Sequence, residues 1–213
     1  MGITEFVRSV KPRDDRFFDV LEAHGALLGA AGGSVLALGS RAATFEAALD
    51  AVRGLEPSSA ERLGQLESLL GSTYVTPLER SDLHALGQSI HESILTLEVA
   101  LAALVALGDR RSSSRLDAQV RHVGELLTLV AAQVPLVREG GYRRIVSARR
   151  DFRGLERSAD GSFRSGVRDL FDADEAPPST IVREYAAHER LAVATSTVSR
   201  TGAHLRMVAL KHA

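Results

Sequence analysis

The chain contains no cysteine and no tryptophan, and only two of its 26 basic residues are lysines. Without cysteine, disulfides, zinc–thiolate sites, iron–sulfur clusters and thiol catalysis are excluded. An excess of either charge is also missing, because 26 basic residues face 27 acidic ones and the net charge is −1. Nucleic-acid-binding domains usually carry a basic excess, so we expect no nucleic-acid partner.

Long hydrophobic runs and common catalytic motifs are absent as well. Met1 to Arg16 has no apolar core of a secretory signal, and the longest uncharged stretch, Gly25 to Ser40, is short for a membrane span. The sequence has no Glu-x-x-His pair, no phosphate-binding Gly-x-x-x-x-Gly-Lys loop and no Gly-x-Ser-x-Gly elbow. We therefore expect a soluble intracellular protein and see no sign of these particular catalytic sites.

Apolar residues instead recur at alternating spacings of three and four. The clearest series is Leu116, Val120, Val123, Leu127, Val130, Val134 and Val137. This spacing places the side chains on one narrow helical stripe, which is typical of near-parallel helix bundles. Glycines and prolines divide the chain into about six predicted helices. The predicted boundaries are Gly32-Gly33, Thr76-Pro77, the segment from Gly108 to Ser114, Gly140-Gly141, and the segment from Asp172 to Ser179.

Part of the sequence repeats at an offset of 100 residues. Arg53-Gly54-Leu55-Glu56 recurs as Arg153-Gly154-Leu155-Glu156, and apolar stripes and breakers align at the same offset. The pattern indicates an internal duplication. We predict two three-helix repeats, residues 1–108 and 109–213, within one compact domain.

Several segments resemble a known family. They are Lys11 to Asp19, the Thr-Pro segment from Tyr74 to Leu86, Leu155-Glu156 with Ala159-Asp160, and Val208 to Ala213. Together they resemble the PhoU-like phosphate-transport accessory family, whose members are found beside Pit-type phosphate permeases. The resemblance implies an all-α fold of two tandem three-helix bundles with six antiparallel helices.

The resemblance also implies a function. A PhoU-like chain would be a non-enzymatic regulator that docks on a Pit-type inorganic phosphate permease. It would be cytoplasmic, in part peripheral to the inner face of the membrane, and able to form homo-oligomers. A helical scaffold that has lost the ancestral site and only oligomerises is an open alternative.

PhoU-like proteins carry Glu/Asp-x-x-x-Asp pairs that bind multinuclear metal clusters. Residues four apart share one helix face, and carboxylate oxygens suit iron, manganese, magnesium or calcium. This chain retains one such pair, Glu156 and Asp160. The resemblance therefore implies iron or another divalent cation as a cofactor.

The other acidic motifs of the family are reduced in this sequence. Glu56 is followed by Ala60 instead of an acidic residue, and only His91 and Glu92 remain of the third-helix cluster. The sixth-helix cluster falls near Ser196 and Arg200. Two interpretations stay open. One is a residual metal site assisted by Glu184 or His188, and the other is an ion-pair cluster in which Arg200 or a neighbouring arginine replaces the cation.

One further feature is a run of arginines spaced along a single predicted helix. We call this set the basic stripe: Arg143, Arg149, Arg150, Arg153 and Arg157. Such a stripe suits phosphate, an anionic membrane surface or an acidic partner. The alternative is a solvated helix face that acidic neighbours balance.

Overall fold

The computed structural model describes residues 14–39, 42–108, 114–172 and 177–213. Within these ranges the chain is helical and contains no strand. The helices are α1 (Asp15–Gly39), α2 (Phe45–Arg53), α3 (Glu56–Ser72), α4 (Arg80–Val105), α5 (Ser114–Ala131), α6 (Val134–Glu139), α7 (Tyr142–Ser147), α8 (Arg149–Phe171) and α9 (Pro178–His212). Residues 109–113 of the predicted boundary from Gly108 to Ser114 lie outside the described residues.

These segments form six helical arms, because α2 with α3, α5 with α6, and α7 with α8 are nearly continuous. Pro57 and Pro135 fall in the first turns of α3 and α6, where a missing N–H breaks no helical hydrogen bond. Gly140 ends α6 in the left-handed region at a φ of 69°. The predicted all-α fold of two tandem three-helix bundles is confirmed.

The predicted break at Gly32-Gly33 is wrong, because both glycines lie inside α1. A Cβ atom at Gly32 would lie 2.8 Å from Thr128 Oγ1 and 3.2 Å from the Gly124 carbonyl oxygen. Gly32 therefore lets the backbone of α1 approach α5 closely. A Cβ at Gly33 would meet nothing within 4 Å, so the packing of α1 against α5 requires glycine at residue 32 but not at residue 33.

The segment after Thr76 also differs from its prediction. Instead of starting at Thr76-Pro77, α4 begins at Arg80. The Thr76 hydroxyl donates to the Leu78 carbonyl at 2.6 Å, and the Arg80 guanidinium donates to backbone carbonyls that follow the end of α3. Hydrogen bonds from side chains to the backbone thus hold this segment as a turn ahead of the helix.

The two copies of Arg-Gly-Leu-Glu have different local structures. Residues 53–56 span the break between α2 and α3, whereas residues 153–156 lie inside α8. Glu56 is therefore at the start of a helix and Glu156 is in the middle of one. The division into repeats at residues 1–108 and 109–213 stays a prediction.

In the part of the chain that the structure describes, three stretches are long and apolar enough to cross a membrane by length and composition alone: Asp15–Gly39, Arg80–Val105 and Leu116–Glu139. This differs from the expectation for Gly25 to Ser40, because α1 extends ten residues before that stretch. In the bundle, 39%, 44% and 56% of the respective apolar windows are buried. Much of their apolar surface therefore contributes to the core, in which α1 packs along α5 and α4 packs along α9.

Candidate functional site

The basic stripe borders an apolar groove. Residues 142–157 contain six arginines and two carboxylates, a net charge of +4. Arg150 and Arg157 stand at the edge of a groove of about 800 Å³ between α1, α5 and α8. Its remaining lining is Leu36, Glu125, Thr128, Leu129, Ala132, Asp151, Gly154 and Leu155. The groove, which we call the basic groove after the stripe beside it, thus combines aliphatic side chains with two arginines and two carboxylates.

The basic stripe differs from the arginines on either side of it in its ion pairs. Within the described ranges, none of its five arginines forms an ion pair within 4.0 Å, whereas the flanking Arg144 lies 3.6 Å from Glu139 and Arg164 lies 2.6 Å from Asp160. Arg157 Nε donates to the Arg153 carbonyl at 3.1 Å. Glu125 and Asp151 line the same groove, so the alternative of a face balanced by acidic neighbours stays open.

Gly154 leaves the middle of the groove open. A Cβ atom at this position would meet nothing within 4 Å, although Gly154 lies inside a helix that packs on its other side. Since glycine weakens a helix interior by about 0.5–1 kcal/mol relative to alanine, its presence here has a cost in stability. A larger residue would fill the space that a docked side chain could occupy.

The remaining acidic pair lines a different and smaller pocket. Glu156 and Asp160 border a cavity of about 270 Å³ whose other lining residues are Ala159, Phe163, Ala192, Thr195, Ser196 and Ser199. Asp160 is held by Arg164, and in the described part of the chain no group of three His, Asp or Glu side chains converges. Two carboxylates with hydroxyl neighbours do not fit a multinuclear centre. A single cation at this pair stays a prediction.

The other predicted metal ligands lie apart from one another and have different partners. His91 Nδ1 lies 3.0 Å from Ser59 Oγ, and Glu92 lies 3.7 Å from Arg200. Arg200 thus meets Glu92 and not Glu156, while Glu56 occupies the first turn of α3. The sequence alone could not give this arrangement, because it depends on how α4 and α9 are rotated against each other.

Glu184 and His188 form a separate buried cluster with Gln119. Gln119 Nε2 donates to the His188 carbonyl at 3.3 Å, so Gln119 Oε1 is the acceptor for His188 Nδ1–H. His188 Nε2 lies 3.9 Å from Glu184. Burial lowers the pKa of His188, and the Glu184 carboxylate opposes that shift. These two residues do not line the pocket of Glu156 and Asp160.

Comparisons with known proteins agree with this architecture. No protein-family model matches the chain. A curated protein of Rhizobium meliloti (strain 1021), named "Putative pit accessory protein", is 25% identical over 166 residues, which cover 77% of this chain and 78% of that protein. The crystal structure of a PhoU-like protein from Shewanella oneidensis MR-1 superposes with a TM-score of 0.73 at 16% identity, covering 92% of this chain and 99% of the other.

The chain has the PhoU-like fold. A second structure from the same organism, described as a "putative PhoU-like phosphate regulatory protein", superposes with a TM-score of 0.63 at 13% identity and covers 92% of this chain and 96% of its own. The resemblance predicted from the sequence is confirmed by the fold and by the name of the curated relative.

This PhoU-like bundle also contains a hydrogen-bonded cluster of three side chains that was not predicted from the sequence. Ser59 Oγ lies 2.8 Å from His24 Nε2 and 3.0 Å from His91 Nδ1, and it links α1, α3 and α4. Burial is the main cause that lowers the pKa of His24 to about 4, with smaller contributions from His91 and Arg62. A signal was present in the sequence, because His24 lies on the apolar stripe between Leu21 and Leu28.

Proposed function

We propose that this chain is a non-enzymatic accessory protein that regulates inorganic phosphate transport by docking on a Pit-type permease at the cytoplasmic side of the membrane. The PhoU-like fold and the name of the Rhizobium relative support the general role. The observation that carries the docking mechanism is the basic groove, an apolar surface groove whose lining includes Arg150 and Arg157, neither of which makes an ion pair within 4.0 Å among the described residues.

The occupant that suits this groove is an acidic amphipathic segment of the permease. The aliphatic floor formed by Leu36, Leu129 and Leu155 would bury the apolar face of such a segment. Arg150 and Arg157, seven residues apart on one face of α8, would pair with carboxylates on either side of it. The net charge of +4 over residues 142–157 would also steer an acidic segment toward the groove.

The groove can be closed without disturbing the core. Gly154→Trp places an indole in open space at the centre of the groove, and Gly64→Trp makes the same change on α3, where a Cβ also meets nothing within 4 Å. Both positions are inside helices, so the two variants share the same effect on helix propensity.

The experiment measures binding of purified permease in lipid nanodiscs to the immobilised wild type and to both variants. We expect Gly154→Trp to weaken binding by about tenfold or more, equivalent to about 1.4 kcal/mol, and Gly64→Trp to bind as the wild type does. Arg150→Glu should weaken binding by a similar factor and reduce its dependence on salt. Equal binding of all variants, or no binding by the wild type, would refute docking through this groove.

A further inference from the structure

Arg206 is held at a fixed position where α9 crosses α8. Its guanidinium carbon lies 4.9 Å from the centroid of the Phe152 ring, and Phe152 is fully buried. Gly202, one turn earlier on α9, makes room for that ring, because a Cβ there would lie 2.4 Å from Phe152 Cε1. The ring packs against α9 at Gly202 and makes a cation–π contact with the Arg206 guanidinium.

One nitrogen of this guanidinium has no hydrogen-bond partner, and Arg206 lies in the field of two other arginines and one carboxylate. Arg206 Nη1 is buried and has no hydrogen-bond partner. Burial lowers the pKa of Arg206, Glu156 opposes that shift, and the charges of Arg149 and Arg153 reinforce it. A buried N–H donor is normally satisfied, so this atom indicates a missing acceptor.

The neighbouring residues of α8 complete a cationic cluster. Arg149, Arg153 and Glu156 follow one another at spacings of four and three residues on α8, and all three act electrostatically on Arg206. Among the described residues, Arg149, Arg153 and Arg206 make no ion pair within 4.0 Å, in contrast to Arg164 with Asp160 further along α8. Three guanidinium groups and one carboxylate give the cluster a net charge of +2.

We propose that Arg149, Arg153 and Arg206 bind a tetrahedral oxyanion of the phosphate class, with Glu156 accepting a hydrogen bond from its protonated oxygen. Guanidinium groups match phosphate oxygens in geometry and charge. A hydrogen phosphate dianion would neutralise the cluster and provide acceptors for Arg206 Nη1. Sulfate has the same charge and shape but carries no proton for Glu156, so phosphate should bind more tightly than sulfate.

This site is separate from the proposed docking surface. Arg150, Gly154 and Arg157 line the basic groove, whereas Arg149, Arg153 and Arg206 do not. Gly154→Trp should therefore leave oxyanion binding unchanged, and loss of permease docking alone would not overturn the proposal.

The test is titration calorimetry of the full chain with inorganic phosphate and with sulfate. We expect one phosphate per chain, with affinity reduced by about tenfold or more in Arg206→Gln and in Arg153→Gln, as expected for loss of a charge-assisted contact. Arg153 is exposed, so its variant remains informative if Arg206→Gln does not fold. The control is Arg168→Gln, an exposed arginine near the far end of α8.

A second arm distinguishes free phosphate from a lipid headgroup. Vesicles containing phosphatidic acid are sedimented with the wild type and the same variants, beside vesicles of phosphatidylcholine alone. The site is supported if Arg206→Gln and Arg153→Gln weaken binding of one of the probes while Arg168→Gln does not. The probe that binds in this way identifies the source of the oxyanion. Binding of neither probe, or equal binding by these variants and the control, overturns it.

Discussion

Acidification should weaken the bundle through His24. This side chain is fully buried, its Nε2 atom lies 2.8 Å from Ser59 Oγ, and its Nδ1 atom has no partner. Because burial lowers the pKa of His24 from 6.5 to about 4, the unfolded chain takes up a proton at a higher pH than the folded chain does. Stability therefore falls as the pH decreases from about 6.5 to about 4.

The size of the loss follows from the two pKa values. Between pH 7 and pH 5 the unfolded imidazole becomes almost fully protonated while the buried one stays mostly neutral. The linkage relation then gives a loss of about 2 kcal/mol in the free energy of unfolding from this one residue.

Urea unfolding at pH 7, 6 and 5 measures this loss in the wild type, His24→Gln and His84→Gln. Glutamine can keep a hydrogen bond to Ser59 but does not titrate, so His24→Gln should lose about 2 kcal/mol less than the wild type over this range. His84 lies on the surface near Glu67, so His84→Gln controls for the loss of a solvated histidine. If His24→Gln and the wild type lose equal stability between pH 7 and pH 5, the reasoning is refuted.

Two further predictions concern helix packing and metal content. Gly32→Ala should destabilise the fold by about 1–3 kcal/mol in urea unfolding, because the new methyl group would contact Thr128 and the backbone of α5. The adjacent Gly33→Ala is the control and should be neutral or stabilising. Equal effects of the two substitutions would contradict the close approach of α1 and α5. Mass spectrometry after incubation with iron or manganese should find fewer than two ions per chain, lost in Glu156→Ala, since only Glu156 and Asp160 converge in their pocket; two or more ions would contradict this.

Much of the fold was predictable because it depends on local chemistry and on spacing. Apolar residues three and four apart predict the buried stripe from Leu116 to Val137, and Gly140-Gly141 predicts the end of α6. The predicted break at Gly32-Gly33 is wrong, because the sequence does not distinguish a glycine needed for close packing from a glycine that ends a helix. Only the neighbouring helix distinguishes them.

The candidate sites show the same division. The basic stripe could be recognised from the spacing of its arginines, but the groove beside it could not, since Leu36, Leu129 and Leu155 come from three different helices. The position of Arg206 over Phe152 likewise depends on how α8 and α9 cross. Sites formed between distant segments require the tertiary structure, whereas patterns along one helix do not.

Phosphate transport itself provides the most direct test of the proposed function. Uptake of radiolabelled phosphate is measured in proteoliposomes containing the Pit-type permease, with the wild type, Gly154→Trp or Gly64→Trp enclosed on the cytoplasmic side. We predict that the wild type and Gly64→Trp change the rate of uptake in the same direction. With Gly154→Trp, the rate should equal that of proteoliposomes containing only the permease. A rate that the wild type does not alter would contradict a role in regulating this transport.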